Sequence, residues 1–451
     1  MTRMKNIRLI VSVILLAAVS VLLPARLAAQ TGVAYDAFSP YSMYGVGSLE
    51  TLGSQNSLAM GGIAIGDRNN AYINWVNPAA VTARENKAFM LDFGLTQKNI
   101  LYTADALTSI EDTDSGTLRS VNNMFNLHHI LVSFPITNKI AVKAGLMPFA
   151  ATGYAFSSRE YADEVLLEMG NVAYNKSGKG GIYQVVLGAG WSILPNLSIG
   201  IDGLYYLGNT IHASSTNFTT NSHYRQITRS WISVSRGLGA KAGVQYTAHL
   251  NPSTDLTLGA TYKIGSKMGG QHTDRVLAST TSSVDTISNV TKPIDYKIPS
   301  ETGAGFTIRK KDKWMFGFDY VTQNWSTTNF DNAPGIDITT RRMNSFRLGG
   351  EFIPSRFDVR HYGRRMSYRA GLYYNQGYIA VNNVPINSMG LTFGASFPIA
   401  KSSDTRLTSI SFSVDIGQTG TLANYLVKEN YVKLNVGLNM FDTWFHKSLY
   451  R

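Results

Sequence analysis

The chain of 451 residues is predicted to fold as an all-β protein: a transmembrane antiparallel β-barrel of about fourteen strands with an N-terminal hatch inside the lumen. Three observations predict it. An apolar leader marks the chain for export, long stretches alternate apolar and polar residues with a period of two, and long connections alternate with short ones.

The leader spans residues 1–29. Arg3, Lys5 and Arg8 form a positive start, and Leu9 to Leu23 is apolar except for Ser12 and Ser20. Pro24 and Arg26 end the run, and Leu27-Ala28-Ala29 offers an imperfect small-residue cleavage site, so the mature chain is expected to begin at Gln30. A membrane anchor is the weaker alternative, because the run falls short of the ~20 residues that span a bilayer. The expected destination is the bacterial outer membrane.

Composition narrows the function classes. There is no cysteine, which excludes a lipoprotein anchor, disulfides and thiolate metal sites. The 41 Lys+Arg against 29 Asp+Glu give a formal net charge of +12. The bases are dispersed, with no clustered stripe or known module, so nucleic acid is not an expected partner. An acidic lipid or lipopolysaccharide surface accounts for the excess more simply.

Periodicity supplies the strands. In 431–441, Val432, Leu434, Val436, Leu438 and Met440 alternate with Lys433, Asn435, Gly437 and Asn439. Ile410, Phe412, Val414 and Ile416 do the same against Ser411, Ser413, Asp415 and Gly417. Strands are expected at 87–103, 125–136, 139–156, 178–194, 196–214, 228–250, 254–268, 300–309, 313–324, 342–355, 367–378, 388–398, 406–418 and 430–441. Gaps after odd strands are mostly long, and gaps after even strands mostly tight, 356–366 being the exception. Long outer loops and short periplasmic turns are what an outer-membrane barrel needs.

Facing follows from cost. Lys or Arg on the lipid face near the midplane costs roughly 2–4 kcal/mol, so Arg347, Lys433, Asp415, Asp202 and Asp319 are expected in the lumen. Trp314, Trp325, Tyr320, Tyr431, Phe441 and Trp444 near strand ends suit interfacial girdles. Residues 30–86 lack sustained alternation. They suit either a periplasmic arm or a lumen hatch, and Met60, Ile73, Trp75 and Val76 favour the hatch. The barrel is expected over 87–441, with a short tail at 442–451.

The chain resembles the FadL-type outer-membrane transporters of long-chain fatty acids and other hydrophobic compounds. Three stretches carry the resemblance. They are Met60-Gly61-Gly62-Ile63-Ala64-Ile65-Gly66-Asp67 followed by Asn77-Pro78-Ala79-Ala80, then Gly145 to Phe149 with Gly153-Tyr154, and Tyr368 to Tyr374 with Pro385 and Gly390 to Gly394. The resemblance implies fourteen strands, a hatch built around Gly61, Gly62, Asp67, Asn77 and Pro78, and a kinked third strand opening a lateral gap. The family's large outer-loop helices are not evident; Glu160 to Met169 suits one short helix. No carboxylate-binding residues match.

Pro148 lies inside the third strand, where it has no N–H for a ladder bond. In hydrocarbon an unpaired carbonyl costs a few kcal/mol, so the defect suits either a lateral gap lined by Gly145, Met147, Pro148, Phe149 and Gly153 or an ordinary bulge. A sideways exit suits a greasy cargo. At about 0.8 kcal/mol per CH₂, a long acyl chain would resist discharge into water by roughly 10 kcal/mol.

No catalytic set, cofactor motif or metal motif is evident. The pair His128-His129 reads as solvated, and Gly237, Gly239 and Gly243 read as room for the hatch. The basic stretch 355–369 suits a solvated turn or a docking surface. The expected function is passive, non-enzymatic uptake of a hydrophobic small molecule. The alternative is a structural or accessory barrel of an outer-membrane protein assembly or export complex, and a polar-solute porin is a lesser third.

Overall fold

The computed structural model describes residues 38–84, 88–105, 117–160, 162–218, 224–280, 282–328, 337–399 and 408–443. The leader, the start of the hatch and Trp444 lie outside the described residues.

Fourteen antiparallel strands close into a barrel. The first six are β1 (Ala88–Asp105), β2 (Thr117–Pro135), β3 (Ile140–Arg159), β4 (Val172–Leu194), β5 (Leu197–Phe218) and β6 (Gln226–Asn251). Next, β7 runs over Thr254–Lys263 and Ser266–Ser279, and β8 over Val284–Ile298 and Glu301–Lys310. The wall is completed by β9 (Trp314–Asn324), β10 (Arg342–Phe352), β11 (Ser367–Gln376), β12 (Ser388–Pro398), β13 (Ser409–Thr419) and β14 (Lys428–Thr443). β14 pairs with β1 from Ala88↔Thr443 to Thr103↔Lys428, which removes the edge.

The facing is as the alternation requires. Leu258, Tyr262, Leu391, Phe393, Val432 and Val436 point outward, where lipid takes the place of a core. Asp202, Asp319 and Asp415 are buried in the interior. Three aromatic assignments are corrected: Trp325, Tyr431 and Phe441 are buried rather than placed in a girdle. Trp325 stacks 4.7 Å from the Tyr378 ring, and the Tyr431 hydroxyl meets that of Tyr373 at 2.5 Å.

The wall is uneven in height. β4, β5 and β6 have 23, 22 and 26 residues, more than twice the ~9–11 a membrane crossing needs. β7 and β8 rise with them, and the stretch 269–299, expected as a loop, is a hairpin with Ser279 opposite Val284. Polar residues interrupt its apolar ones and a register shift between Thr286 and Ser288 breaks the period, so no sustained alternation marks it as strand. The helix expected near 160–169 is α1 (Asp163–Met169).

The hatch fills the interior. Met60, Ile63, Ile65, Ile73, Asn77 and Val81 are fully buried. Above it, the outer loops fold inward. A small sheet of Ile338–Thr340, Ile379–Val381 and Val384–Pro385 belongs to a core containing Tyr41, Val46, Trp325 and Tyr378. The Tyr378 hydroxyl donates to Gly47 O at 2.6 Å.

Wall charges are matched in pairs. Lys143 Nζ sits 3.0 Å from Asp202 Oδ2 with both side chains buried, and Lys263 Nζ sits 2.8 Å from Glu301. Removing one partner of such a pair strands the other charge, at a cost of about 3–5 kcal/mol. Asp202→Asn is therefore expected to lower stability by ~3 kcal/mol. Lys143→Met with Asp202→Leu should recover much of that loss in urea titrations of the barrel refolded into lipid vesicles.

Candidate functional site: an open seam and the hatch that fills it

β2 and β3 part company halfway up the wall. They pair only from Pro135↔Ala141 to Ile130↔Leu146. Above that point β3 continues against β4 as far as Arg159↔Ala173, and β2 continues against β1 as far as Thr117↔Asp105. Their facing edges have no common ladder.

Both strands bulge where they separate. On β3 the register shifts between Pro148 and Ala150, so Phe149 is an extra residue. On β2, His129 opposes Gly94 and Leu127 opposes Leu95, leaving His128 as the extra residue. The histidines are buried, not solvated as expected. Their Nδ1 atoms lie 2.8 Å apart, and His129 Nε2 is 3.3 Å from Asp92 Oδ1. Each bulge redirects its strand, and Pro148 lies at a bulge just beyond the last shared β2–β3 pair.

The hatch supplies what β2 does not. Its two-residue strand Ser48–Leu49 pairs antiparallel with Ala151 and Ala150 of β3. Glu50 N donates to Phe149 O at 3.0 Å, and Ser39 N donates to Gly153 O at 2.8 Å. Gly153 N donates to Ser42 Oγ at 2.9 Å. The free edge of β3 is thereby capped over the span that faces the opening.

A solvent-open cavity beside this seam is lined by Met124, Leu127 and His128 of β2 and by Pro148, Ala150 and Ala151 of β3. Its inner end is charged: Glu50 of the hatch faces Lys98, Lys433 and Asp415 of the wall. The Tyr373 hydroxyl donates to Asp415 at 2.9 Å. Of the residues assigned to the gap, Pro148 lines this cavity and Gly153 lies under the hatch cap. Met147 and Phe149 are buried, Phe149 against the Tyr206 ring at 5.2 Å. Gly145 sits in the closed ladder opposite Leu131.

The hatch residues form the other half of the site. Gly61 and Gly62 adopt φ of +69° and +86°, the left-handed region that a side chain disfavours. A Cβ on Gly371 of the wall would overlap the Met60 backbone. Gly61 N donates to Thr392 Oγ1 at 2.8 Å. Ala64 N and Ile65 N both donate to Asp319 Oδ2, at 2.6 and 2.7 Å.

Asp67 accepts from Arg309 Nη2 at 2.8 Å and from the Tyr72 hydroxyl. Burial pushes its carboxyl above the ordinary carboxylate range, against the pull of Arg309 and the Tyr72 hydroxyl. Asn77 Nδ2 donates to Ile65 O at 2.8 Å and to Val244 O at 3.1 Å. Pro78 begins a 3₁₀ turn, Pro78–Thr82, wedged against Gly200 and Gly243. Gly237 and Gly239 instead lie against Met268 and Ser266, so only Gly243 of that trio makes room for the hatch.

Some of this escaped sequence reasoning. Ser48–Leu49 is too short to show periodicity. The bulge at His128 left a trace, because the outward series Val121, Phe125, Leu127 resumes at Ile130, a step of three.

A family model described as BamG matches residues 7–451. No curated protein sequence matches the chain. Among solved structures, the chain is similar to the CymD monoaromatic hydrocarbon channel at 15% identity, covering 87% of this chain and 98% of that one with a TM-score of 0.54. It is similar to a Pseudomonas aeruginosa FadL homologue at 12% identity, covering 88% and 100% with a TM-score of 0.56. The P. putida toluene transporter TodX matches at 14% identity, covering 88% and 100% with a TM-score of 0.52. At such identities the likeness is one of fold, and it agrees with the resemblance carried by the hatch and third-strand residues.

The cap on β3 is open to a direct test. With no native cysteine, Ser48→Cys with Ala151→Cys should crosslink under mild oxidation in intact cells. Failure to crosslink in a folded barrel would place the hatch strand away from β3.

Proposed function

The chain belongs to the BamG family, and from that premise and the bonded hatch we propose that it is an accessory barrel of an outer-membrane protein assembly or export complex. Its role is structural and non-enzymatic, exercised in the bacterial outer membrane with lipid and lipopolysaccharide against its apolar face. One observation carries the reading: the hatch is bonded to the wall nearly all the way round. Its partners include Gln245 of β6, Thr307 of β8, Asp319 of β9, Arg347 of β10, Thr392 of β12 and Ser411 of β13.

Moving such a hatch would leave many buried donors and acceptors unpaired, at about 1–3 kcal/mol each. The cavity to the seam is also a poor conduit for grease. An apolar molecule passing Lys98, Lys433, Asp415 and Glu50 would strip their water without replacing its hydrogen bonds.

A second reading is favoured by the seam itself. Passive uptake of a hydrophobic small molecule, long-chain fatty acid-like, would use the cavity beside Pro148 as a lateral exit, after Ser48–Leu49 lets go of β3.

Extraction in mild detergent followed by native-size analysis separates the two. The accessory reading expects a complex of fixed stoichiometry. A lone barrel carrying lipid would move the assignment to transport. Gly153→Trp with Pro148→Val should then abolish uptake of a labelled fatty acid, and unchanged uptake would rule out the lateral route.

A further inference from the structure

The turn between β10 and β11, residues 353–366, is the long exception among the short connections. It carries Arg356, Arg360, His361, Arg364 and Arg365 against one acid, Asp358. A solvated turn would place polar groups outermost. Here Phe357 and Val359 are 65% and 81% exposed.

The turn is also held in one shape. Ser355 N donates to Arg364 O at 2.8 Å, and Asp358 Oδ1 accepts from the amides of Arg360 and His361 at 2.8 and 2.7 Å. The Tyr362 hydroxyl donates to Pro398 O at 2.9 Å, and Arg356 pairs with Asp312 at 2.7 Å. Exposed apolar side chains on an ordered loop are costly to keep wet.

Phe357 and Arg365 also line a solvent-open cavity at the periplasmic mouth, beside Asn69, Tyr72, Lys313 and Trp314. Arg365 stacks over the Tyr362 ring at 5.0 Å, and its buried Nε has no hydrogen-bond partner among the described residues. The Arg360 side chain is exposed, and that of Arg364, also exposed, lies 3.5 Å from Asp358.

The geometry points to a docking site for an acidic peptide segment of a periplasmic partner, whose carboxylates meet Arg360, Arg364 and Arg365 while an apolar side chain covers Phe357 and Val359. The charge asymmetry selects an acidic occupant. Position favours a peptide over a bilayer: hatch residues Asn69 and Tyr72 line the same cavity, so it opens at the barrel mouth. This deepens the accessory reading and rests on it.

The full chain should be expressed in cells as wild type, as Phe357→Ser with Val359→Ser, and as Arg360→Glu with Arg364→Glu. Heat-modifiable gel mobility would confirm that each barrel is folded. Native-size analysis should show a complex for the wild type and a lone barrel for both variants. Variants that stay in the complex would overturn the docking site alone, and a lone wild type would overturn it together with the accessory reading.

The purified chain in nanodiscs should also bind a synthetic peptide of alternating Glu and Leu. The Gln–Leu counterpart, and the Arg360→Glu/Arg364→Glu variant, should each bind more than about tenfold more weakly, the least that losing one charge-assisted hydrogen bond implies. Equal binding would overturn the inference. So would capture of the barrel by phosphatidylglycerol vesicles with no peptide binding, which would give the turn to the membrane.

Discussion

Inside a membrane, each backbone N–H and C=O must find a protein partner, because hydrocarbon offers none. A closed barrel meets that demand strand by strand. This one breaks it at the β2–β3 seam, where the ladder stops at Ile130↔Leu146. The edge of β3 above that pair is supplied with partners by the hatch, through Ser39, Ser42, Ser48, Leu49 and Glu50. The hatch is therefore part of the wall, and the two cannot be treated as separate parts.

The lumen enforces the same dependence. Charges that lipid would expel are turned inward, where each needs a partner. Some are matched within the wall, as Lys143 with Asp202. Others look to the hatch: Asp319 holds two of its amides and Arg309 holds Asp67. Wall glycines such as Gly371 and Gly200 let the hatch backbone approach to contact. The barrel thus encloses a hatch that is bonded to its wall as well as packed against it.

Much of this was legible in the sequence, because the barrel writes itself in alternation and loop parity. The inward charges Asp202, Asp319 and Asp415 followed from the cost of facing lipid. Less legible were the parts where both sides are wet. The hairpin reaching Ser279 and Val284 has its alternation broken by polar residues and by the register shift between Thr286 and Ser288. Trp325 and Tyr431 were misplaced because an aromatic near a strand end suits a girdle and a lumen equally, and tertiary packing decides. Within the site, Gly61, Gly62, Asp67, Asn77 and Pro78 could be named from a resemblance. The cap of Ser48–Leu49 on β3 could not, since two residues carry no period.

A hatch bonded in this way is expected to keep the barrel shut. Single-channel recording of the purified chain in planar bilayers tests it most directly. The wild type should show no conductance steps, with steps appearing once Asp319→Ala and Thr392→Ala loosen the hatch. Stable steps from the untouched protein would contradict it.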